Sequence, residues 1–372
     1  MIRVAILSKA FVRGAYQRKL EEIARCSDIE LTLITPPSWR EGRTHVPFEP
    51  VFTHGYQTLI TPLRLNGHFH LHFYPRLGAL LRELRPDIVH VDEEPYNLAT
   101  WLALRTARRI SARRLFFTWQ NIDRPLPVPF STLERWSYRL ADGAIAGNRD
   151  AHDVLQKRGY RGPIWVIPQF GIDPELFQPT SRAGAGPFSI GFAGRLTRAK
   201  GVDLLIRACA TLTGNWRLIL IGDGEERPRL EQLARDLGIA GKVTFRGEVR
   251  STDMPRELAA LDVLVLPSRS TPRWREQFGR VLVEAMACGV AVIGSDSGEI
   301  PRVIGEGGLV FPEEDWRTLA RHLDTLQRDA VLRRMLGARG RARVCAFYTH
   351  QRIAEQTVAV YRALWDAVPA RS

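Results

Sequence analysis

The amino-acid sequence predicts an α/β protein built from two doubly wound, parallel-sheet domains that face a central cleft. Three observations predict this fold class. The chain of 372 residues is longer than one hydrophobic core usually serves. Short apolar runs that end in polar residues alternate with segments of helical periodicity, as in parallel sheets covered by helices. The alternation breaks at residues 178–187, which are rich in Gly, Pro, Ser and Ala, and then restarts.

The first half begins with the pattern strand, loop, helix, strand. IRVAILS is a short apolar strand, and FVRGAYQRKLEEIARC shows apolar or small residues at helical spacing, with Gly14 near the start of the helix. IELTLITP is a second strand, so this order opens a parallel sheet. Later runs repeat the strand pattern: PDIVHVD, LFFTWQN, GAIAGN and PIWVIP. A ligand-binding crevice is expected where such runs end in polar residues.

The second half repeats the alternation after the predicted linker. Its strands are FSIGFAGR, WRLILIGDG, KVTFRG, DVLVLPS and VAVIGSD, and its helices include GVDLLIRACATL and EEDWRTLARHLDTLQRD. The last helical stretch, THQRIAEQTVAVYRALWDA, is long enough to lie across another domain. We therefore predict an N-terminal domain over residues 1–178, joined by a C-terminal helix over residues 352–372, and a C-terminal domain over residues 179–351.

The composition limits the class of protein. No apolar run reaches the roughly 18 residues that span a bilayer, which predicts a soluble, cytoplasmic protein. The four cysteines form no Cys-x-x-Cys pair, which argues against a disulfide framework or a thiolate zinc site. The formal charge of +13 indicates an anionic partner. Nucleic acid is not favoured, because the arginines are spread over both halves without a nucleic-acid-binding motif, whereas phosphorylated small molecules and an anionic membrane face both fit.

The stretch GFAGRLTRAKG places two cations around a helix start. Gly194 ends a strand, and Gly201 lets the chain turn into a helix. Arg195 and Lys200 lie in the loop between them, where a guanidinium fork and an ammonium suit the oxygens of a diphosphate. The alternative is that both side chains are solvated loop charges. Further on, Gly222 directly follows a strand, but no G-x-G-x-x-G fingerprint opens the next helix, so it marks either a ligand-facing turn or a tight turn alone.

The segment EQFGRVLVEAMACG carries a carboxylate on either side of a predicted helix N-terminus. The dipole and the unpaired N–H groups of such a terminus attract phosphate oxygens. Eight helical steps would place Glu276 and Glu284 about 12 Å apart along the axis. This is the scale of a nucleoside diphosphate sugar, whose hydroxylated ends suit carboxylates and whose centre suits cations. The alternative is an ordinary amphipathic helix with one capping and one surface glutamate.

Taken together, these motifs resemble those of the family-4 glycosyltransferases, which have the GT-B fold. GFAGRLTRAKG, VLVLPS, EQFGRVLVEAMACGVAVIGSDSGEIPRVI and GEGGLVF follow one another in the order typical of that family, and the likeness is dense over residues 188–316. The resemblance implies a retaining transferase that takes a hexose from a nucleotide diphosphate sugar. It implies no metal and no cofactor besides this donor substrate, in agreement with the absence of a D-x-D pair from the sequence.

The resemblance also implies roles for individual residues. Glu276 would contact the donor sugar and Glu284 the ribose hydroxyls, while Arg195 and Lys200 would bind the diphosphate. Glu276 and the two cations form the predicted catalytic group. The other predicted donor-binding residues are Gly14, Gly194, Gly222, Glu248, Val249, Phe278, Gly279 and Arg280. Residues 278–280 would act through backbone amides, and the turn over residues 246–249 would border the base.

The first half departs from the family at one position. Members commonly carry a histidine after the strand equivalent to LFFTW, whereas Trp119 or Gln120 stands there, and a neutral amide cannot act as a base. His90, Glu93 and Gln120 are predicted on the acceptor side, with a satisfied, half-buried histidine as the alternative for His90. Gly14 lies in the first loop, where relatives often have a glycine pair that touches the phosphates.

Two further patterns suggest surfaces. His68, His70 and His72 alternate in NGHFHLHFY and are predicted to share one face of a surface or acceptor-facing strand rather than to bind a metal. The stretch WLALRTARRISARR is predicted as a helix with the arginines at positions 105, 108, 109 and 113 on one side. A solvated face is the default interpretation. The alternative is peripheral contact with the anionic inner face of the cell membrane, where a lipid-linked acceptor would lie.

The sequence therefore predicts a retaining, metal-independent hexosyltransferase of cell-surface glycan synthesis. Its partners would be a nucleotide-sugar donor and a glycolipid or glycan acceptor, the acceptor being lipid-linked or a polysaccharide. Three alternatives stay open: a nucleotide-sugar epimerase, a nucleotide-sugar-binding protein that has lost transfer, and a nucleic-acid-binding module suggested by the charge alone.

Overall fold

The computed structural model describes residues 1–42, 44–180 and 186–367. The backbone divides into a first unit, residues 1–171 together with the C-terminal segment from His350, and a second unit, residues 172–349. The first boundary precedes the predicted one at residue 178, because Ile172 and Phe177 are buried in the core of the second unit and Ile172 pairs with Thr349. Within the predicted linker, residues 181–185 lie outside the described residues.

The first unit contains a seven-stranded parallel sheet in the order β5-β2-β1-β6-β7-β8-β9 and a small antiparallel pair, β3-β4. The strands are β1 (Ile2–Leu7), β2 (Ile29–Thr35), β3 (Ser38–Glu41), β4 (Thr44–Pro47), β5 (Gln57–Ile60), β6 (Ile88–Val91), β7 (Arg113–Thr118), β8 (Gly143–Ala146) and β9 (Ile164–Val166). The sequence prediction missed β3, β4 and β5, because these short, largely exposed strands lack the apolar run of a buried parallel strand.

The helices of the first unit before the C-terminal segment are α1 (Arg18–Ala24), α2 (Leu77–Leu84), α3 (Leu98–Arg109), α4 (Phe130–Leu140) and α5 (Arg149–Lys157). Of these, α1 and α3 overlap the segments predicted as helical, residues 11–26 and 101–114. The predicted first helix is shorter than expected, because two 3-10 turns over residues 10–12 and 14–16 precede α1. These turns keep the chain after β1 at the carboxyl edge of the sheet.

The second unit contains a six-stranded parallel sheet in the order β12-β11-β10-β13-β14-β15. Its strands are β10 (Phe188–Ala193), β11 (Trp216–Ile221), β12 (Val243–Gly247), β13 (Val263–Leu266), β14 (Ala291–Ser295) and β15 (Gly308–Phe311). Its helices are α6 (Val202–Cys209), α7 (Arg227–Asp236), α8 (Met254–Ala259), α9 (Arg280–Ala287), α10 (Ile300–Ile304), α11 (Trp316–Arg328) and α12 (Ala330–Phe347). Every residue of β10, β13 and β14 is buried, as expected for parallel strands covered on both faces.

The C-terminal helix α13 (His350–Asp366) belongs to the first unit. Ile353, Val358 and Tyr361 are buried in the core that also contains Leu20 and Ile23 of α1. On the outer side, Arg362 donates two hydrogen bonds of 2.8 Å to Asp28 at the start of β2. The amphipathic pattern thus buries one face of the helix on the first sheet. Among the described residues, we find no helix with both the length and the apolar character needed to cross a bilayer.

The strand order of each sheet locates its binding crevice. In the first unit, β1 lies between β2 and β6, and in the second unit, β10 lies between β11 and β13. In each sheet, the next strand in the chain pairs on one side of this central strand, and a later strand pairs on its other side. The loops after β1 and β6 therefore diverge at the carboxyl edge of the first sheet, and the loops after β10 and β13 diverge in the same way in the second. Ligands of open α/β sheets bind at such points. The loops after β1 and β6 and the loops after β10 and β13 are therefore the candidate sites.

Candidate active site

The second unit forms its crevice with glycines that no other residue could replace without strain. Gly194 after β10 and Gly222 after β11 have φ of +154° and +122°. A Cβ atom on Gly222 would lie 2.1 Å from the Gly194 carbonyl oxygen. Gly201 has φ of +64°, and its Cβ would lie 2.0 Å from the Pro267 carbonyl oxygen at the end of β13. The predicted glycine turns therefore pack backbone on backbone at neighbouring strand ends.

Lys200 and Glu276 meet at this crevice. The Lys200 Nζ atom lies 2.7 Å from Glu276 Oε2, which also accepts a 3.0 Å hydrogen bond from Ser268 Oγ. Lys200 also lies over the Trp274 ring, 4.9 Å from its centroid. An ammonium carries three donors, so the bond to Glu276 leaves capacity for phosphate oxygens. The sequence prediction gave Lys200 and Glu276 separate tasks, whereas the structure places them in one ion pair.

The backbone of Glu276 is held by the loop after β14. Gly298 has φ of +55°, and a Cβ there would lie 2.1 Å from the Glu276 carbonyl oxygen. The same carbonyl accepts a 3.2 Å hydrogen bond from the Glu299 amide. The SGE triplet at residues 297–299 thus holds the backbone of Glu276 in position. The triplet lies in one of the motifs that resemble the family, but the sequence alone predicted no role for it.

Helix α9 begins beside this ion pair. Gly279 is its N-cap with φ of +74°, and within the described part of the chain no side chain caps this terminus. Its first turn therefore presents backbone N–H groups and the positive end of the helix dipole. One turn further, the Arg280 Nε atom donates a 2.9 Å hydrogen bond to Glu284 Oε1. The Glu284 side chain is 14% exposed, and burial raises the pKa of this carboxyl, although Arg280 opposes the shift.

The remaining predicted donor-binding residues of the second unit lie on the same edge of its sheet, whereas Gly14 lies in the first unit, buried in the second 3-10 turn after β1. Arg195 is exposed, and within residues 1–42, 44–180 and 186–367 we find no ion-pair partner for its guanidinium. Glu248 and Val249 follow β12, with Glu248 exposed and Val249 packed against the core. Phe278 stacks edge-on against Tyr348, with ring centroids 5.6 Å apart. The structure therefore brings these residues to the carboxyl edge of one sheet, as their positions after successive strands predict.

In the first unit, the loops after β1 and β6 meet through a buried ion pair. The Lys9 Nζ atom lies 2.7 Å from Glu93 Oε2, with the two side chains 9% and 1% exposed. His72 Nε2 lies 2.9 Å from the same carboxylate oxygen. Burial works against ionisation of Glu93, but the charges of His72 and Lys9 outweigh it and hold the pKa of Glu93 well below its usual range.

The acidic residues on either side of Glu93 behave differently. Asp92 Oδ2 accepts hydrogen bonds from Ser8 Oγ (2.9 Å) and Gln169 Nε2 (2.8 Å), and burial raises the pKa of Asp92 to about 6. Glu94 accepts hydrogen bonds from Thr118 Oγ1 and the Trp119 amide, and burial raises the pKa of Glu94 to about 7. One strand end thus carries three carboxyl groups with three different proton affinities.

These residues line a cavity of about 340 Å³ in the first unit. Its polar lining comes from Lys9, Arg13, Glu41, Asp92, Glu93, Glu94 and Gln169. Its aromatic lining comes from Tyr16, Trp39, Phe69, Phe117 and Trp119. The sequence predicted Glu93 on the acceptor side, whereas it gave no role to Asp92, Trp39 or Phe69. Only the polar end of the run PDIVHVD could have signalled Asp92, and no local pattern signals the aromatic residues.

Two residues predicted on the acceptor side, His90 and Gln120, do not line this cavity. His90 is 1% exposed inside β6, and its Nδ1 atom lies 2.8 Å from the Tyr361 hydroxyl of α13. Burial holds the pKa of His90 well below its usual range, so the ring is a neutral core residue rather than a cavity residue. Gln120 turns away from the cavity, because its Nε2 atom donates to the Ile122 carbonyl at 2.7 Å. Trp119, the other residue at that position, lines the cavity.

Two predicted surfaces also differ. The segment with His68, His70 and His72 forms turns rather than a strand, and an isolated antiparallel bridge joins Arg64 and Phe73 at its two ends. His70 bonds Asn97, while His72 is buried against Glu93, so the three rings do not share one face. In the described chain, no group of three or more His, Cys, Asp or Glu side chains has a metal-binding arrangement.

The predicted basic face is also shorter than expected. Helix α3 ends at Arg109, and Arg113 lies in β7 instead of on the helix. Arg105, Arg108 and Arg109 line an exposed hollow together with Arg139 of α4 and the rings of Trp101 and Trp136.

The chain matches two family models, which together cover residues 20–343. Residues 20–176 match the model described as Glycosyltransferase Family 4, and residues 175–343 match the model described as Glycosyl transferases group 1. The predicted family resemblance is therefore confirmed over both units.

Named relatives are glycosyltransferases as well. The chain is 32% identical over 272 residues to a D-inositol 3-phosphate glycosyltransferase of Stackebrandtia nassauensis, a match that covers 66% of this chain and 59% of that relative. It is 36% identical over 165 residues to the lipopolysaccharide core biosynthesis glycosyltransferase LpsE of Rhizobium meliloti, covering 44% of this chain and 46% of LpsE.

Solved structures share the fold over nearly the whole chain. A glycosyltransferase from Rickettsia africae superposes with a TM-score of 0.77 at 15% identity, covering 99% of both chains. Anabaena HepE in complex with UDP-glucose superposes with a TM-score of 0.71 at 20% identity, covering 98% of this chain and 100% of HepE. The predicted α/β fold of GT-B type is thereby confirmed.

Proposed function

The chain belongs to the family-4 glycosyltransferases, and from this premise we propose that it moves a hexose from a nucleotide diphosphate sugar to a hydroxyl of a glycan or lipid-linked acceptor, with retention of configuration at the transferred carbon. The observation that carries this proposal is the Lys200–Glu276 pair beside the uncapped start of α9. A diphosphate needs cations and N–H donors, whereas a sugar needs carboxylate acceptors. The second unit offers both within one crevice.

The donor would be held by groups that match its three parts. Arg195 and Lys200, with the first N–H groups of α9, would bind the diphosphate. Glu276, held in place by Ser268 and the loop after β14, would accept hydrogen bonds from the hexose. Glu284 lies one helical turn inside α9, where it would accept hydrogen bonds from the ribose. HepE, which shares the fold, was solved with UDP-glucose, and this agrees with a donor of the same class.

The chemical step follows from this charge arrangement. The bond from the anomeric carbon to the diphosphate oxygen breaks as the acceptor oxygen bonds the same face of that carbon. The acceptor proton passes to the departing diphosphate oxygen, so no protein nucleophile is needed. Arg195, Lys200 and the helix terminus would stabilise the negative charge that collects on the leaving group. We propose that these fixed groups replace a metal ion, so EDTA should leave the rate unchanged.

Two kinds of relatives indicate the chemical class of the acceptor. The D-inositol 3-phosphate glycosyltransferases suggest a phosphorylated polyol, whereas LpsE suggests a lipopolysaccharide core, which is a glycan. We propose the glycan or lipid-linked class, in agreement with the sequence prediction.

Donor hydrolysis tests the proposed function. Uridine, guanosine and adenosine diphosphate sugars would be screened with the full chain for slow hydrolysis in the presence of EDTA. One base and one hexose should be preferred. Glu284→Ala should weaken donor binding about 10-fold, because it removes an acceptor for ribose hydroxyls. Glu231→Ala is the matched control, since Arg227 and Glu231 form the same (i, i+4) pair on α7.

Product analysis separates the alternatives. Release of free hexose with unchanged stereochemistry at its other carbons supports a transferase that uses water in place of its acceptor. An epimerised sugar would favour the epimerase, and tight donor binding without any turnover would favour the binding protein. If no nucleotide sugar is bound or consumed, the proposed function is wrong.

We also propose that the first unit contacts an anionic membrane through the hollow on α3 and α4. This hollow has a volume of about 520 Å³ and is lined by Trp101, Arg105, Arg108, Arg109, Trp136, Arg139 and Leu140. No carboxylate belongs to this lining, and Trp136 is 42% exposed. Arginines suit lipid phosphates, and tryptophan suits the membrane interface. Each basic residue near an anionic surface contributes about 1 kcal/mol.

Vesicle flotation tests this contact. The chain should float with vesicles that contain phosphatidylglycerol and not with purely zwitterionic ones. Arg105→Gln combined with Arg108→Gln should reduce the bound fraction. Arg334→Gln combined with Arg339→Gln, two exposed arginines of α12 in the second unit, is the matched control for total charge. Equal loss with both pairs, or flotation that ignores lipid charge, would contradict the proposal.

A further inference from the structure

The loop that follows β13 carries an arginine that bonds the turn before Lys200. The amide of Arg269 donates a 2.7 Å hydrogen bond to the Ala199 carbonyl, and its Nη1 atom donates a 3.2 Å hydrogen bond to the Arg198 carbonyl. Both carbonyls belong to the 3-10 turn over residues 198–200. One residue therefore holds the two consecutive peptide groups that lead into Lys200.

The guanidinium of Arg269 is itself fixed by a largely buried carboxylate. Its Nη1 and Nη2 atoms donate hydrogen bonds of 2.6 and 2.9 Å to the two carboxylate oxygens of Asp203. The two side chains are 13% and 12% exposed. Because both groups are planar, a bidentate pair fixes their orientation as well as their distance. Asp203 lies in the first turn of α6, so the pair joins the loop after β13 to the helix that follows the turn of Lys200.

The charges around this pair favour its ionised form. Burial works against ionisation of Asp203, but the hydrogen bonds and the charge of Arg269 outweigh it and hold the pKa of Asp203 below its ordinary value. Arg229 adds a smaller effect in the same direction. Arg269 also donates from Nε to Glu314 Oε1 at 2.6 Å, but the Glu314 side chain is 64% exposed. Since exposed ion pairs contribute little, Asp203 is the main partner of Arg269.

The same loop also holds the ion-pair partner of Lys200. Ser268, the residue before Arg269, donates a 3.0 Å hydrogen bond to Glu276 Oε2, the atom that lies 2.7 Å from Lys200 Nζ. Adjacent residues of one loop therefore hold both members of the ion pair. Ser268 bonds the carboxylate of Glu276 directly, and Arg269 bonds the backbone that carries Lys200.

We propose that Arg269, fixed by Asp203, is a positioning residue that sets where the Lys200 ammonium lies for a diphosphate. The guanidinium is engaged by two carboxylates and a peptide carbonyl, so Arg269 acts on the ligand through Lys200 and not by contact. A lysine side chain is long and flexible, so the place of its ammonium depends on how firmly its backbone is held. The inference rests on the proposed function, in which Lys200 binds the diphosphate of the donor.

Binding of inorganic pyrophosphate to the full chain, measured by titration calorimetry in the presence of EDTA, tests the proposal. Arg269→Lys keeps the charge but loses the planar fork and the bond to the Arg198 carbonyl, so it should weaken pyrophosphate binding at least about 5-fold. Asp203→Asn should act in the same direction, because it removes the anionic partner of the guanidinium.

A matched control separates positioning from stability. Arg114 forms a similar fork with Asp142 in the first unit, through hydrogen bonds of 2.8 Å from Nε and 2.6 Å from Nη2. Arg114→Lys should therefore lower stability much as Arg269→Lys does, but it should leave pyrophosphate binding unchanged. Urea unfolding of both variants measures their stability and confirms that each is folded under the conditions of the titration.

Coupling to Lys200 gives a readout that a merely structural role would not move. In a chain that already carries Lys200→Met, adding Arg269→Lys should change pyrophosphate binding less than about 2-fold, because the ammonium that Arg269 positions is gone. With a nucleotide sugar that the parent consumes, Arg269→Lys should lower kcat by a larger factor than it raises the donor KM, since Lys200 acts most on the charge of the departing diphosphate.

Two results would overturn the inference. One is unchanged pyrophosphate binding in both Arg269→Lys and Asp203→Asn, and the other is an equal loss from Arg269→Lys with and without Lys200. If the parent consumes its donor and either result is found, this inference alone is refuted. If the parent neither binds pyrophosphate nor consumes a nucleotide sugar, the proposed function is refuted, and the inference with it.

Discussion

The two candidate sites differ in how they hold their central ion pair. In the second unit, Lys200 and Glu276 are 21% and 10% exposed and lie in a crevice of glycine turns. In the first unit, Lys9 and Glu93 are 9% and 1% exposed and lie against His72 and aromatic rings. A partly solvated pair can exchange partners with a ligand at small cost, whereas a buried pair cannot. We therefore expect the Lys200–Glu276 pair to exchange partners with a ligand more readily than the Lys9–Glu93 pair does.

The largest expected effect is on stability, and it tests whether the two ion pairs differ. Lys9→Met should lower the free energy of unfolding by about 3–5 kcal/mol, because it leaves the Glu93 carboxylate buried without its lysine. Lys200→Met should cost only about 1 kcal/mol or less, because its pair is nearer to solvent and Glu276 keeps Ser268. Urea unfolding of the two variants measures the difference. Equal destabilisation would show that the two ion pairs contribute equally to stability and would contradict this prediction.

Turnover should show the opposite asymmetry. Lys200→Met and Glu276→Gln should each slow donor hydrolysis by about 100- to 1,000-fold, since each removes a charged contact to the reacting group. The double variant should be little slower than the worse single one, because the two side chains form one unit. Single-turnover kinetics at saturating donor measure this coupling. Fully additive losses would contradict a shared role.

Glycines sharpen the comparison at the backbone level. Gly222→Ala should destabilise the second unit by about 2–3 kcal/mol, since its φ is +122° and its Cβ would meet the Gly194 carbonyl oxygen at 2.1 Å. Gly14→Ala should cost less than Gly222→Ala, because its Cβ would meet Val51 Cγ2 at 2.1 Å and Cβ at 2.8 Å, on a side chain that is 55% exposed, and would meet a backbone atom, the Glu49 carbonyl oxygen, at 3.2 Å.

Thermal unfolding of Gly222→Ala and Gly14→Ala tests this prediction. Gly241→Ala is the control, because no described atom lies within 4 Å of a Cβ at Gly241. A larger loss at Gly14 than at Gly222 would show that the loop after β1 is the more rigid of the two.

The last prediction concerns the pH dependence of stability. Burial raises the pKa of Glu94 to about 7 against an ordinary 4.5, so the folded state binds more protons than the unfolded chain between these values. Stability from this group is therefore present below pH 4.5 and is lost as pH rises to about 7, by up to about 3 kcal/mol. The neighbouring charges that act on it are those of Lys9 and Glu134.

Glu94→Gln should flatten this part of the stability profile. A glutamine can still accept from the Trp119 amide and can donate to Thr118, so the fold should persist. Urea midpoints between pH 4.5 and 7.5 would decide it. If the variant and the parent lose stability in parallel over that range, the titrating group lies elsewhere.

The sequence predicted more of the crevice in the second unit than of the cavity in the first unit. Gly194 and Lys200 lie in one short motif, and Gly279 and Glu284 lie in another, so local spacing sufficed to group each pair. The Lys200–Glu276 pair itself was missed, because it joins loops after two different strands. On the acceptor side, the alternating histidines misled the prediction. Period-two spacing suggests a strand, but the segment folds into turns in which His72 is buried and bonds Glu93.

The sequence by itself determined the two parallel α/β sheets, the glycine turns at their carboxyl edges and the family to which the chain belongs. These follow from apolar runs, helical periodicity and short motifs, all of which act over neighbouring residues. Only the tertiary structure decided which charges neutralise each other, that His90 is a core residue bonded to Tyr361, and that Asp92 and Glu94 are buried beside Glu93 at the end of one strand. Burial and pairing depend on segments that are distant along the chain, and they set the pKa of each group through contacts that no local pattern records.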